Sequence, residues 1–117
     1  MICILENRVH AQALCDPFFE SNHYLFMNEA SCHNFALSKS GRIWVKWNVS
    51  KLNFIPSRIT SQIISGNVFV ANQALFQLSV IYASNNALEL KELWEDIALV
   101  RPVSSLPWAT IGDFNCC

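Results

Sequence analysis

The chain has 117 residues, 52% of them apolar and 15% charged, with only three glycines and four prolines. That balance excludes a disordered or fibrous chain and suffices for one globular unit, residues 1–117, around one modest core. The formal net charge of -1 conceals an asymmetry, because no Asp or Glu falls between Glu29 and Glu89 while Lys39, Arg42, Lys46, Lys51 and Arg58 all do. A cationic middle of this kind is a solvated face or a seat for a polyanion such as a nucleic-acid backbone.

No stretch approaches the roughly eighteen uninterrupted apolar residues of a membrane span, and Ile2–Leu5 is too short for the core of a signal sequence. The expectation is a soluble, unsecreted, intracellular chain with no membrane partner. Cys3, Cys15, Cys32, Cys116 and Cys117 make an odd count without regular spacing, which predicts free thiols. A zinc site using Cys32-His33 with Cys15 or His23 is the competing reading, but no Cys-x-x-Cys pair supports it.

In chain order, Ile2–Leu5 followed by Glu6 fits a buried strand closed by an acid. Residues 10–20 have helical potential interrupted by Pro17, 24–27 is a short apolar run fit for a strand, and 28–40 is polar enough for a loop. From Gly41 the pattern alternates, with Ile43, Val45 and Trp47 on one face and Arg42, Trp44 and Lys46 on the other. Two β-rich segments, 59–70 and 75–82, continue an antiparallel meander, with Gly66-Asn67 as a turn or bulge. Asn86 and Glu89 then form a capping-box pattern before a helix whose stripe is Leu90, Leu93, Trp94 and Ile97. After a loop at 100–105, residues 108–111 make the last strand.

Three apolar runs share one design. Those ending at Glu6, at Tyr82-Ala-Ser-Asn85 and at Gly112-Asp113-Phe114-Asn115 each finish in groups suited to metal or phosphate. If the strands are neighbours, their ends bring Glu6, Tyr82, Asn85, Asp113 and Asn115 to one rim. On an extended segment residues two apart point the same way, so Asp113 and Asn115 face one pocket while Phe114 turns into packing. Phosphodiester hydrolysis needs such a set: a hard cation to neutralise phosphoryl charge, a base for water, and neutral donors to hold the phosphate. Each residue alone has a plainer reading, as a turn former, a helix-cap neighbour or an amphipathic core side chain.

Together these segments resemble the endonuclease/exonuclease/phosphatase superfamily, the DNase I-like fold, most closely the endonuclease domain of plant LINE-type non-LTR retrotransposons. The resemblance rests on Ile4-Leu-Glu-Asn-Arg-Val9, Gly41-Arg-Ile-Trp-Val-Lys-Trp47, Val80-Ile-Tyr-Ala-Ser-Asn85 with Glu92-Leu-Trp-Glu-Asp-Ile97, and Pro107-Trp through Gly112-Asp-Phe-Asn115, in the family's order. It implies an α+β fold, a partial two-sheet sandwich with mixed sheets and helices outside. It also implies Glu6 as a ligand of Mg²⁺, with Mn²⁺ as substitute, and Tyr82 beside the scissile phosphate. Asn85 is implied as a phosphate contact, Asp113 as the residue that aligns or activates water, and Asn115 as its partner amide. DNA is the implied partner and the nucleus the implied place of action. The family's metal-site Asn ahead of the Glu-bearing strand and its late Asp-His pair have no counterpart in these residues. The expectation is therefore a partial domain that binds DNA weakly and has little or no activity alone. A phosphomonoesterase of the same superfamily and a non-catalytic remnant or interaction module are the alternatives.

Overall fold

The computed structural model describes residues 1–5, 24–37, 43–102 and 105–114. Their elements are strands β1 (Ile2–Leu5), β2 (Glu29–His33), β3 (Ile43–Asn48), β4 (Asn53–Ile59), β5 (Ile63–Val70) and β6 (Gln73–Tyr82), then helix α1 (Ala87–Val100) and strand β7 (Trp108–Asp113). They form two sheets, one ordered β1-β3-β2 and wholly antiparallel, the other ordered β4-β5-β6-β7. In the second, β4, β5 and β6 make an antiparallel meander, but β3, expected to open it, lies in the other sheet and β4 takes its place; α1 then carries the chain over to β7, which runs parallel to β6. The class is α+β, a two-sheet arrangement in which only the second sheet is mixed.

The alternation in β3 explains how the sheets meet. Ile43, Val45 and Trp47 are buried with Phe54, Ile64, Val68, Leu78 and Val80 in a core between the two sheets. Burial of such side chains contributes roughly 1.5–3 kcal/mol each before entropy is counted. On the other face of β3, Trp44 and Lys46 are buried as well. The Lys46 ammonium is held 3.1 Å from the Glu29 carboxylate and lies 4.0 Å from the centre of the Trp44 ring. Phe35 closes this face, stacked on His33 at 4.4 Å and edge-on to Trp44 at 5.4 Å.

Helix α1 starts where its cap predicts, because the Asn86 side chain accepts hydrogen bonds from the backbone N–H groups of Leu88 and Glu89 at 2.9 and 3.2 Å. Its apolar stripe covers the outer face of the second sheet: Leu93 is buried with Ile63, Ile81 and Ala83, and Leu90, Ile97 and Val100 pack around them. Trp94 departs from the expectation. It remains half exposed and stacks on Phe114 with ring centres 6.3 Å apart. Under the helix the polar side chains of the sheet satisfy one another: the Ser65 and Ser79 hydroxyls are 2.8 Å apart, the Trp108 indole N–H donates to Ser79 at 2.9 Å, and the Gln77 amide donates to the Val100 carbonyl.

Several expectations are corrected. The segment 29–33 is a strand: Ala30 and Cys32 pack toward the core between the sheets, while Glu29 and His33 lie on the outer face with Lys46 and Phe35. Residues 24–28 form no strand, and Tyr24, Leu25 and Met27 are exposed. The segment 59–70 is interrupted at 60–62 by the turn between β4 and β5, and β4 itself begins at Asn53. Gly66-Asn67 lies inside β5, opposite Pro56 and Ile55; the register shifts are on β4, between Pro56 and Arg58, and in the β5–β6 pairing, between Val68 and Phe69. The β5–β6 hairpin turns instead at Ala71-Asn72, both in the left-handed region with φ of 52° and 63°.

Candidate functional site

The parallel pairing of β6 with β7 sets the geometry of the site. Their register matches Gln77 with Trp108 and runs in step to Tyr82 with Asp113. Two of the sequence-predicted residues therefore stand side by side at the C-terminal ends of neighbouring strands, about 4.8 Å apart along the sheet. The Ala83 N–H donates to the Asp113 carbonyl at 2.8 Å and prolongs the ladder past both residues. The Tyr82 ring packs on the core between the sheets, Asp113 is exposed, and Phe114 turns to the opposite, helix-covered face, as the spacing predicts.

The third strand end reaches the same rim through hydrogen bonds. Leu5, the last residue of β1, is paired with Ile43. The Ile43 N–H donates to the side-chain oxygen of buried Asn34 at 3.0 Å, and the Asn34 amide nitrogen donates to the carbonyls of Thr60 and Ser61, each at 3.0 Å. Thr60 and Ser61 belong to the β4–β5 turn, whose Gln62 carbonyl accepts from the Tyr82 N–H at 2.9 Å. The C-terminal ends of β1, β6 and β7 thus converge. Glu6, which follows β1 in sequence, and Asn115 lie outside the described residues.

Asn85 is exposed on the segment between β6 and α1, with its backbone pinned on both sides. Before it, the Ser84 N–H donates to the Gln62 side-chain oxygen at 2.9 Å; after it, the Asn86 N–H donates to the Ser84 hydroxyl at 3.0 Å. Asn34 and Gln62, the two amides on which the rim depends, escape the sequence reading. A buried amide and a loop amide have the same composition, and only the tertiary partners distinguish them.

The rim offers oxygen donors, an Asp carboxylate and a Tyr hydroxyl, which suit a hard cation such as Mg²⁺ that keeps several waters. Among the described residues no group of three or more His, Cys, Asp or Glu side chains gathers. The zinc reading fails locally, because Cys32 packs toward the core between the sheets whereas His33 stacks on Phe35 at the outer face. Successive residues of a strand cannot share one ion from opposite faces. Cys15 and His23 lie outside the described residues.

Among the described residues, the cationic middle does not assemble into a face. Lys46 is consumed by Glu29, Arg58 donates to the Asp96 carboxylate of α1 through Nε at 2.9 Å, and Lys51 sits beyond Asn48, at the end of β3 away from the rim. Lys39 and Arg42 lie outside the described residues. Two grooves, one along α1 beside Leu90 and Trp94 and one between Leu52, Ile55 and Phe69, include none of the candidate residues.

Cys3 and Cys32 both pair with Val45, one from each side, so they stand about two strand spacings, roughly 10 Å, apart. That exceeds the reach of a disulfide, and both are free thiols. Burial raises the thiol pKa of each, that of Cys32 to about 12 with a smaller contribution from Cys3. Treatment with N-ethylmaleimide at pH 7.5 should modify them at least tenfold more slowly in the folded chain than in denaturant, by peptide mass mapping. The linked stability is intact below pH 9 and falls between about 9 and 12, where the unfolded chain gives up protons that the folded one retains. At the acid end the sign reverses. Burial lowers the His33 pKa, and its Nδ1 accepts from the Phe35 N–H at 3.2 Å, so stability falls as pH drops below 6.5 and the unfolded chain takes up the proton first. Rapid reaction of native Cys32 or a flat alkaline melting profile would contradict this placement.

Comparison with protein-family models, with curated proteins and with solved structures gave no match in any of the three. Among the described residues no helix is long and apolar enough to cross a membrane.

Proposed function

We propose that the chain carries part of the catalytic rim of a Mg²⁺-dependent DNA phosphodiesterase, an endonuclease of the endonuclease/exonuclease/phosphatase type and of retroelement origin, working inside the cell. The observation that carries this reading is the register that sets Tyr82 beside Asp113 at the end of parallel strands, on the rim where β1 also ends. In this reading Asp113 orients a water and takes its proton as the oxygen attacks phosphorus and the bond to the leaving ribose oxygen breaks. Tyr82 lies against the phosphate, and the amides of Asn85 and Asn115 donate to its oxygens. Glu6 with Asp113 would hold Mg²⁺ through carboxylate and water, and the ion would neutralise phosphoryl charge.

Turnover is a blunt test of the rim, because a cooperating set that lacks one member loses most of its rate. Metal binding is the sharper test. Substoichiometric Mn²⁺ should broaden the amide NMR signals of Tyr82, Ala83 and Asp113 first, and Asp113→Ala should weaken that effect at least tenfold. Any nicking of supercoiled plasmid should need Mg²⁺ and vanish in the same variant. Broadening centred on Glu89, Glu92 and Glu95 of α1, or none at all, defeats the proposal.

A non-catalytic interaction module is the second reading, favoured by the neutralisation of Lys46 and Arg58, which leaves the described residues without a cationic track for DNA. It predicts that Mg²⁺ does not raise the melting temperature. Release of phosphate from small phosphomonoesters without plasmid nicking would instead select the phosphatase alternative.

A further inference from the structure

Asn34 and Gln62 are buried amides whose side-chain bonds run toward the rim, and their partners describe a single relay. Asn34 accepts from Ile43 of β3, the residue paired with the end of β1, and donates twice into the β4–β5 turn. Gln62, in that turn, reaches the other way. Its backbone carbonyl accepts from Tyr82, its side-chain oxygen accepts from Ser84 at 2.9 Å, and its side-chain nitrogen donates to the Glu89 carbonyl in the first turn of α1 at 2.7 Å. One amide therefore fixes the exit of β6 and the entry of α1 at once, and Asn85 lies between them.

We infer that Gln62 is a positioning residue for the rim, setting Tyr82 and Asn85 relative to each other, and that Asn34 couples this unit to the end of β1. The inference rests on the phosphodiesterase reading for its purpose, but the geometry stands independently. An exposed Asn on an ordinary turn samples many backbone states; here the flanking N–H groups of Ser84 and Asn86 are both committed, which fixes the backbone that carries Asn85 and leaves less of it to order on binding. Gln62 touches no reacting atom in this scheme and acts only through the chain it holds.

The variant that tests it is Gln62→Met, which keeps the shape and removes both side-chain bonds, with Gln62→Glu retaining the acceptor for Ser84 and losing the donor to Glu89. In Gln62→Met the amide hydrogen exchange of Ser84 and Leu90 should rise at least tenfold while Ile64 and Val80 keep their protection, and Gln62→Glu should loosen Leu90 more than Ser84. Mn²⁺ broadening at Tyr82 should weaken in Gln62→Met at a temperature where both proteins are folded. A uniform rise in exchange across the core, or an unchanged profile at Ser84 and Leu90, overturns the inference. Should the wild-type chain show no broadening at the rim, the phosphodiesterase reading falls and the exchange measurements still decide the role of Gln62. If the wild-type pattern is present and survives in Gln62→Met, the positioning role alone falls.

Discussion

Phe54→Ala is expected to destabilise the chain by about 3–5 kcal/mol, the range for removing a buried aromatic ring from a core that cannot collapse around the void. For a chain of this size that corresponds to a fall in melting temperature of roughly 12–20 °C. The effect is large because of where Phe54 sits. It is the only fully buried residue of β4, an edge strand whose Ile55 is half exposed and whose ladder is interrupted between Pro56 and Arg58. The ring also reaches across the gap between the sheets, edge-on to Trp47 with centres 5.6 Å apart. Truncation removes the main apolar tie of β4 and one side of the Trp47 contact together. Circular dichroism melting checks it, and a loss below about 1 kcal/mol would mean that β4 is not packed on the sandwich as described.

The sequence made legible the elements whose local chemistry agrees with their tertiary role. Strand β3 alternates because one of its faces is the inter-sheet core, and α1 follows Asn86 because the cap and the apolar stripe point the same way. It failed where a tertiary partner overrides composition. Strand β2 reads as a loop because 28–40 is polar, yet the Glu29 carboxylate is 3% exposed and meets a lysine at 1%. Neither residue signals this alone, since charged side chains are almost never buried unless paired. The basic run misleads for the same reason, as Lys46 and Arg58 find acids at distant positions in the chain. The Ala71-Asn72 turn is not legible in the sequence, because a left-handed alanine carries no compositional mark.

The candidate rim divides along the same line. Tyr82, Asn85 and Asp113 stand out in the sequence because strand ends rich in polar donors are rare within apolar runs. Their register is a different kind of fact: the step-for-step pairing of Gln77–Tyr82 with Trp108–Asp113 depends on the length of α1 and the loop after it, which no residue pattern specifies. The hydrogen bonds of Asn34 and Gln62 are further still from the sequence, because they join segments nine to twenty-seven residues apart.

Gly112→Ala should be the substitution that most directly separates fold from site. Gly112 has a φ of +140° and sits opposite Ile81, so close that an added Cβ would lie 2.8 Å from the Ile81 backbone nitrogen and carbonyl carbon, and closer still to its oxygen. No side-chain rotation relieves a collision with backbone, and the φ itself is one that an L-residue adopts only under strain. Together overpacking and strain amount to about 3–5 kcal/mol, which the chain can reduce only by moving β7 away from β6 at this point. That movement begins one residue before Asp113 and breaks the bond from the Ala83 N–H to the Asp113 carbonyl. The expected result is a lower melting temperature with fast amide exchange at Ala83, and Mn²⁺ broadening that no longer reaches Tyr82 and Asp113 together. Because α1 remains anchored through Leu93 on Ile63 and Ile81, the helix should keep its protection in the same sample. An unchanged melting temperature with a protected Ala83 N–H would show that β7 does not approach β6 as closely as its register requires, and the pairing of Tyr82 with Asp113 would lose its structural basis.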